Sequence, residues 1–381
     1  MRKVYADNSA TSFPKAPGVS DAIKEFLDNT GCNVNRGGYA DSYDIAMKIF
    51  DTRQMIADMF HAGSPQEVVF TPSVTYSLNT LLLGLLKKYD HVITTSMEHN
   101  AVMRPLHALS KKGIAYDIVP CDVNGALNAA DIIPLIRKET KAVVMLHASN
   151  VCGTVTPIDD VSEICRRNSI KFLVDTAQTA GTLDIDARKV DALAFTGHKG
   201  LLGPQGIGGF IIKKDFADEI DPLITGGTGS LSHEIDQPAF LPDKFESGTM
   251  NIPAILGLKH ALEYINFTGI KSISDKETLL TSVFISKIRS IEGVRLIGKE
   301  DTVGRIAVIS LDFEGNDNAA IAAALDSNYG IMTRCGLHCA PLAHKTLKTY
   351  PHGTVRFSFG HFNTIDDVEY IAQAVKEILS K

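Results

Sequence analysis

Short apolar runs alternate with helical stretches through the first two thirds of the chain. Val68–Phe70, Val92–Thr95, Ala142–Leu146, Phe172–Val174, Ala192–Phe195 and Gly208–Ile212 are near-continuous apolar segments of strand length. Strands covered on both faces read this way, and the gaps between them leave room for crossover helices. The pattern predicts an α/β domain over residues 19–252, built on a mostly parallel sheet. After it the period changes. A helical stretch over Ala254–Tyr264 leads to Arg305–Leu311, where Ile306, Val308 and Ser310 alternate with outward positions. Thr354–Phe359 sets Val355, Phe357 and Phe359 on one face and Thr354, Arg356 and Ser358 on the other. Val368, Ile371, Ala372, Val375, Ile378 and Leu379 then follow helical spacing. Residues 1–18 and 253–381 are expected to form a smaller α+β domain packed on the first.

Composition narrows the classes of function. With 44% hydrophobic and 22% charged residues over 381 positions, the chain is an ordinary globular one. A net charge of −6 gives no basic footprint for nucleic acid or an anionic membrane surface. The N-terminal MRKVYADNSATSF has no apolar stretch of the kind a secretory signal needs, and apolar runs such as Leu81–Leu86 fall far short of the ~20 residues of a membrane span. Six cysteines, at 32, 121, 152, 165, 335 and 339, are too sparse for a disulfide scaffold. A soluble cytoplasmic protein with reduced thiols is expected.

Phe172-Leu-Val-Asp175-Thr-Ala-Gln178 puts a carboxylate at the C-terminal end of an apolar strand, the edge at which open α/β sheets bind ligands. Ala192-Leu-Ala-Phe-Thr196-Gly-His198-Lys199 repeats the arrangement with a lysine. Singly, an Asp at a strand end is a turn or cap residue and a lysine a solvated charge. Together they offer an acid that can hold a protonated ring nitrogen and an amine that can form an imine, the two contributions a protein makes to pyridoxal 5'-phosphate (PLP) chemistry.

These residues resemble the core of class V PLP enzymes and, within them, the cysteine desulfurase and selenocysteine lyase family. The likeness runs over nearly the whole chain. It takes in Asp7-Asn-Ser-Ala-Thr11, Asn33-Val-Asn-Arg36-Gly-Gly, Glu98-His99 and Asn150-Val-Cys-Gly153. It continues through Glu246-Ser-Gly-Thr249-Met-Asn251, Arg334-Cys-Gly-Leu-His-Cys339-Ala, Val355-Arg356-Phe-Ser and Asn363-Thr364. The short segment ending at Cys339 is similar to the Suf-type, group II enzymes. The resemblance implies the type I fold of PLP-dependent transferases, with a large domain around a mostly parallel seven-stranded sheet and a smaller α+β domain.

The resemblance also assigns roles. Lys199 carries the cofactor and moves the substrate's α-proton, and Asp175 pairs with the pyridine nitrogen. His99 stacks on the ring, and Gln178 bonds its phenolic oxygen. Phe70-Thr-Pro-Ser-Val74-Thr75 lies between a strand and the apolar helix Leu78–Leu86, a context suited to a phosphate. Val74 (through its backbone) and Thr75 take the phosphate there, with Thr196 and His198 adding contacts. The sequence departs from the family's Gly-Thr-Thr-Glu at Val74 and Tyr76, so altered but retained phosphate binding is expected. Gly203-Pro-Gln-Gly-Ile-Gly-Gly209 lacks a strand–loop–helix context and reads as a turn into a strand. Arg356 holds the substrate carboxylate with Asn150, and Arg334 is placed with them as a substrate-binding residue.

Cys339 decides between reactions. A thiolate that attacks sulfur needs a partly exposed loop and positive neighbours. Gly336, Pro341, Arg334, His338 and His344 are expected to supply flexibility and charge. A zinc reading of Cys335, His338, Cys339 and His344 has atypical spacing, and no metal is expected. Cys335 offers a second thiol, and Leu337 replaces a histidine usual in Suf-type enzymes. The expectation is a cysteine desulfurase that turns L-cysteine into L-alanine with a persulfide on Cys339. Selenocysteine lyase, a transaminase, a C–S β-lyase and a scaffold without PLP are the alternatives. A homodimer is implied, with Thr249 reaching the partner's cofactor, and so is a sulfur-acceptor protein.

Overall fold

The computed structural model describes residues 2–34 and 37–380. Asn35 and Arg36, part of one family-like segment, lie outside the described residues. The central sheet has seven strands: Val68–Thr71 (β2), His91–Thr95 (β3), Ala115–Val119 (β4), Thr140–Leu146 (β5), Lys171–Asp175 (β6), Ala192–Thr196 (β7) and Gly208–Ile212 (β8). Their order is β2-β8-β7-β6-β5-β3-β4, and only β8 runs antiparallel to its neighbours. The six expected apolar runs are six of these strands. β4 escaped the pattern because it is an edge strand with half-exposed residues such as Tyr116 and Asp117, so it has no continuous apolar run.

Apolar residues cover both faces of this sheet. Phe172 and Val174 enter one core while Leu173, between them, enters the other. The first core is closed by Val19–Glu25 (α1), Ala40–Met59 (α2) and Ile252–Thr268 (α7), and α7 packs on both of the other two. The second is closed by Val74–Leu85 (α3), Asn100–Ser110 (α4) and Lys214–Ala217 (α6), while Ile158–Arg167 (α5) borders the first. Full burial of each large apolar side chain contributes about 1.5–3 kcal/mol, so the sheet is a rigid base for whatever its strand ends carry.

A four-stranded antiparallel sheet follows, ordered Arg334–Gly336 (β12), Thr354–Ser358 (β13), Val308–Phe313 (β10) and Val294–Ile297 (β9). Its apolar face packs on Ile270–Ile288 (α8), Asn318–Tyr329 (α9) and Ile365–Leu379 (α11). Val4–Tyr5 (β1) pairs in parallel with Ile331–Met332 (β11), so the N-terminal segment lies beside this second core. Pro341–Thr346 (α10) follows the turn that carries Cys339. Among the described residues no helix is long and apolar enough to cross a membrane.

Candidate active site

β6 and β7 are adjacent and parallel, so the residues that leave their C-terminal ends emerge side by side. Asp175 ends β6. Its carboxyl is buried, accepts the Ala177 N–H at 2.8 Å, and is raised above the usual carboxylate range by burial. Lys199 follows β7 after Gly197 and His198. Burial lowers its amine to about 8; Asp175 opposes the shift, and Arg356 and Arg334 add to it. The loop is fixed from behind. The His198 carbonyl accepts from the Ser12 N–H, the Thr11 and Ser12 hydroxyls and Lys15 Nζ.

His99 caps α4. Its Nδ1 accepts the Ala101 N–H at 3.0 Å, so the proton of the neutral ring sits on Nε2. Burial, then the positive charges of Lys199, Arg334, Arg104 and Arg356, lower it to about 4, and the ring is neutral at working pH. Glu98 beside it is wholly buried. It accepts from the Thr95 hydroxyl and the Leu146 N–H, tying this loop to the end of β5, and burial pushes it up to about 8. Val74, His99, Asn150, Asp175, Gln178 and Lys199 line one pocket with Leu146, Ala148 and Ala177.

α3 begins at Val74, four residues before the apolar stretch predicted for it, because Ser73 caps the helix by accepting the Tyr76 N–H. Val74 therefore heads a helix N-terminus that faces the pocket, while Thr75 is exposed in the same turn. Gly208 permits this packing. A Cβ there would lie 2.7 Å from the Phe195 carbonyl oxygen and 3.1 Å from the Val74 nitrogen. The glycine-rich segment before it is the expected turn into β8. Gln178 donates to the Ser9 carbonyl. Thr196 Oγ1, His198 Nδ1, Asn150 Oδ1 and Arg356 Nε are buried without a partner among the described residues. Four orphaned polar atoms, all on residues expected to meet cofactor or substrate, fit a polar ligand with an anionic end. Thr249 is not brought to this pocket. It lines a separate cavity with Tyr76 and Glu246.

Arg356 departs from the expected free fork. It is only 1% exposed, and its Nη2 is paired with Asp7 Oδ1 at 2.7 Å while Nη1 donates to the Asn150 carbonyl. Arg334 lies directly opposite it across β12 and β13, and its Nη2 donates to Cys339 Sγ at 3.5 Å.

Near Cys339, the two histidines do not supply the expected positive charge. His338 and His344 are buried and bonded to the hydroxyls of Thr354 and Thr349. Burial lowers them to about 2 and about 4, so neither adds positive charge. Cys335 packs, partly buried, against the core of the four-stranded sheet, on the other side of β12 from Arg334, so it is not poised beside Cys339. Ala340 N–H bonds the Leu337 carbonyl around His338 (φ 49°) and Cys339 (φ 60°). Two successive positive φ values are the pattern of a type I′ turn, normally built from Asn and Gly. In ordinary residues the left-handed conformation costs about 1–2 kcal/mol each. Three bonds at ~0.5–1.5 kcal/mol apiece offset it: Asn150 Nδ2 to the His338 carbonyl, Asn100 N–H to the Cys339 carbonyl, and His338 to Thr354. The two sides nearly balance, and the turn leaves Cys339 exposed.

Known proteins are similar to this chain along nearly its whole length. The sequence profile described as Aminotransferase class-V matches residues 4–371. A probable cysteine desulfurase of Pyrococcus abyssi is 33% identical over 99% of this chain and 94% of its own length. One of Methanothermobacter thermautotrophicus is 30% identical over 98% of this chain and 94% of its length. The apo structure of a cysteine desulfurase from Thermococcus onnurineus NA1 matches with a TM-score of 0.93 and 32% identity, covering 99% of this chain and 95% of that one. With one family profile spanning nearly its whole length and relatives this similar end to end, the chain belongs to the class V aminotransferase family.

Proposed function

We infer that this protein binds PLP and removes sulfur from L-cysteine, leaving L-alanine and a persulfide on Cys339. The observation that carries the reading is the exposed Cys339 thiol, bonded to Arg334, near enough to act on the charge of Lys199, and on a turn tied to Asn150 of the pocket that also holds Asp175 and His99. A transaminase or β-lyase needs the pocket and has no use for the thiol. When bound, PLP supplies an electron sink for the substrate's α-carbon.

The chain's own residues do the rest. The α3 N-terminus at Val74 and Thr75, with Thr196 and His198, holds the phosphate. Asp175 would pair with the ring nitrogen and His99 would lie against the ring, with its proton on Nε2. Arg356 and the second N–H of Asn150 Nδ2 orient the substrate carboxylate. Lys199 Nζ takes up and returns the α-proton, with a basicity lowered enough to be free of its own proton in a useful fraction near neutral pH. Cys339 Sγ attacks the substrate sulfur. The S–S bond forms as the C–S bond breaks, and its electron pair stays with the carbon, which is protonated on the way to alanine.

A homodimer belongs to the proposal, because Thr249 lies outside the pocket of its own chain and is free to meet a partner's cofactor phosphate. The short turn at Cys339 supports the group II subtype, and its exposure supports transfer of the sulfur to an acceptor protein. Wild type incubated with cysteine and no reductant should yield alanine and one added sulfur on the Cys339 peptide. Pyruvate as product, or sulfur on Cys335, sinks the persulfide assignment.

A further inference from the structure

We propose that His338 is a positioning residue for the reaction, holding Cys339 in its left-handed turn through a closed circuit of hydrogen bonds between the two domains. The proposal rests on the desulfurase reading for its kinetic consequence and on geometry alone for the turn.

The circuit follows from proton counting. The Val151 carbonyl can only accept, so the single hydroxyl proton of Ser310 is committed to it at 2.7 Å. Ser310 must then accept from Thr354, whose hydroxyl donates at 3.0 Å. Thr354 has spent its proton and must accept from His338 Nε2 at 3.0 Å. His338 is therefore fixed as the Nε2–H tautomer, with Nδ1 unpartnered. Asn150, next to Val151, closes the loop by donating Nδ2 to the His338 carbonyl at 2.7 Å. His338, Thr354, Ser310 and Asn150 are all buried, so water does not compete for these bonds.

The direction of the effect follows from where the restraints lie. The turn residues adopt a conformation their own sequence disfavours. Asn100 and Asn150 hold the two turn carbonyls from the large domain, and His338's ring is the tie to the small-domain sheet. Its ring is neutral, so its effect on the thiol is one of position, not charge. Remove the ring bond and the turn is free to relax toward right-handed angles, carrying Cys339 Sγ away from Arg334 and the pocket.

The test compares His338→Leu, His338→Gln and Thr354→Val in the PLP-loaded enzyme. Glutamine places an amide where Nε2 stood. His338→Leu should lose at least tenfold in kcat with KM for cysteine and the cofactor's absorbance unchanged. Thr354→Val should follow in the same direction, and His338→Gln should recover most of the rate. Hydrogen exchange of the peptide spanning residues 336–343 should be several-fold faster in the leucine variant and near wild type in the glutamine variant. The Thr354 variant and circular dichroism guard against a leucine variant that misfolds. If both apolar variants keep wild-type kcat and exchange, the proposal is overturned. If exchange responds as expected while the wild type fails to desulfurate cysteine, the turn assignment stands and the activity reading falls.

Discussion

Lys199 follows a strand buried on both faces, whereas Cys339 is the second central residue of a turn held from both sheets' sides. The first is placed mainly by its neighbours in sequence: β7 fixes where the chain emerges, Thr196, Gly197 and His198 carry it to the lysine, and the N-terminal segment only braces the His198 carbonyl from behind. The second is placed by residues far away in the chain, Asn100, Asn150 and Thr354. Changes around the lysine should therefore alter chemistry on an intact frame. Changes around the cysteine should alter geometry with the chemistry intact.

The largest expected effect lies on the lysine side. Lys199→Ala should lower turnover by ~10⁴-fold or more, at the upper end of what a positioned base contributes, because in the proposed reading the same residue also anchors the cofactor. Borohydride reduction and peptide mapping of the wild type should find the cofactor on Lys199; finding it on another lysine removes the assignment. Cys339→Ser comes next. It should bind PLP and cysteine like wild type and release alanine only at background level, since a hydroxyl is a poor nucleophile toward sulfur at neutral pH. A serine variant that desulfurates cysteine at near wild-type rate would make the thiol a bystander. Toward selenocysteine the loss should be smaller, because the C–Se bond is weaker.

What was legible in the sequence divides along the same line. Asp175, Lys199 and the strands that carry them were readable because a strand buried on both faces announces itself as an apolar run, and its end is where ligands bind. Val74 was readable as a helix N-terminus, although Ser73 began the helix earlier than the apolar pattern did. The histidines near Cys339 were misjudged as charged, since nothing local in Cys-Gly-Leu-His-Cys tells that Thr354 and Thr349 bury and bond them. Asp7 was recognised only as part of a motif. Its pairing with Arg356 spans nearly the whole chain, and no local period encodes it. The Asn363-Thr364 motif turned out to be structural: Asn363 ties Gly360 to Tyr5, and Thr364 closes the capping box of α11.

Arg356 belongs to both regimes, so it sharpens the contrast. Arg356→Ala should raise the KM for cysteine by about 10–150-fold, the equivalent of a charge-assisted bond of ~1.5–3 kcal/mol. It should also destabilise the fold by ~3–5 kcal/mol, because Asp7 loses the partner that compensates its partly buried charge. Adding Asp7→Ala should restore much of the stability in a denaturant titration while leaving KM high. Stability and KM recovering together would mean that Arg356 acts on substrate only through the frame.

The smallest effect joins the two regions through charge. Lys199 is held at about 8, mainly by burial, with Arg356 and Arg334 lowering it further against Asp175. An amine with that value is roughly one tenth unprotonated at pH 7 and nine tenths at pH 9, whereas an ordinary lysine at ~10.4 is still mostly charged there. The rate at which apo protein takes up PLP, followed by the cofactor's absorbance, should rise about tenfold from pH 7 to 9 and then level off. A rate that keeps climbing through pH 10 means the amine is an ordinary one. Arg334→Met should move the midpoint upward, because removing a neighbouring cation makes protonation of the lysine easier. The shift should be modest, since burial is the larger cause. Its sign is the useful part: an upward shift places Arg334's charge within reach of Lys199 as well as of Cys339, and a midpoint that stays put confines Arg334 to the nucleophile.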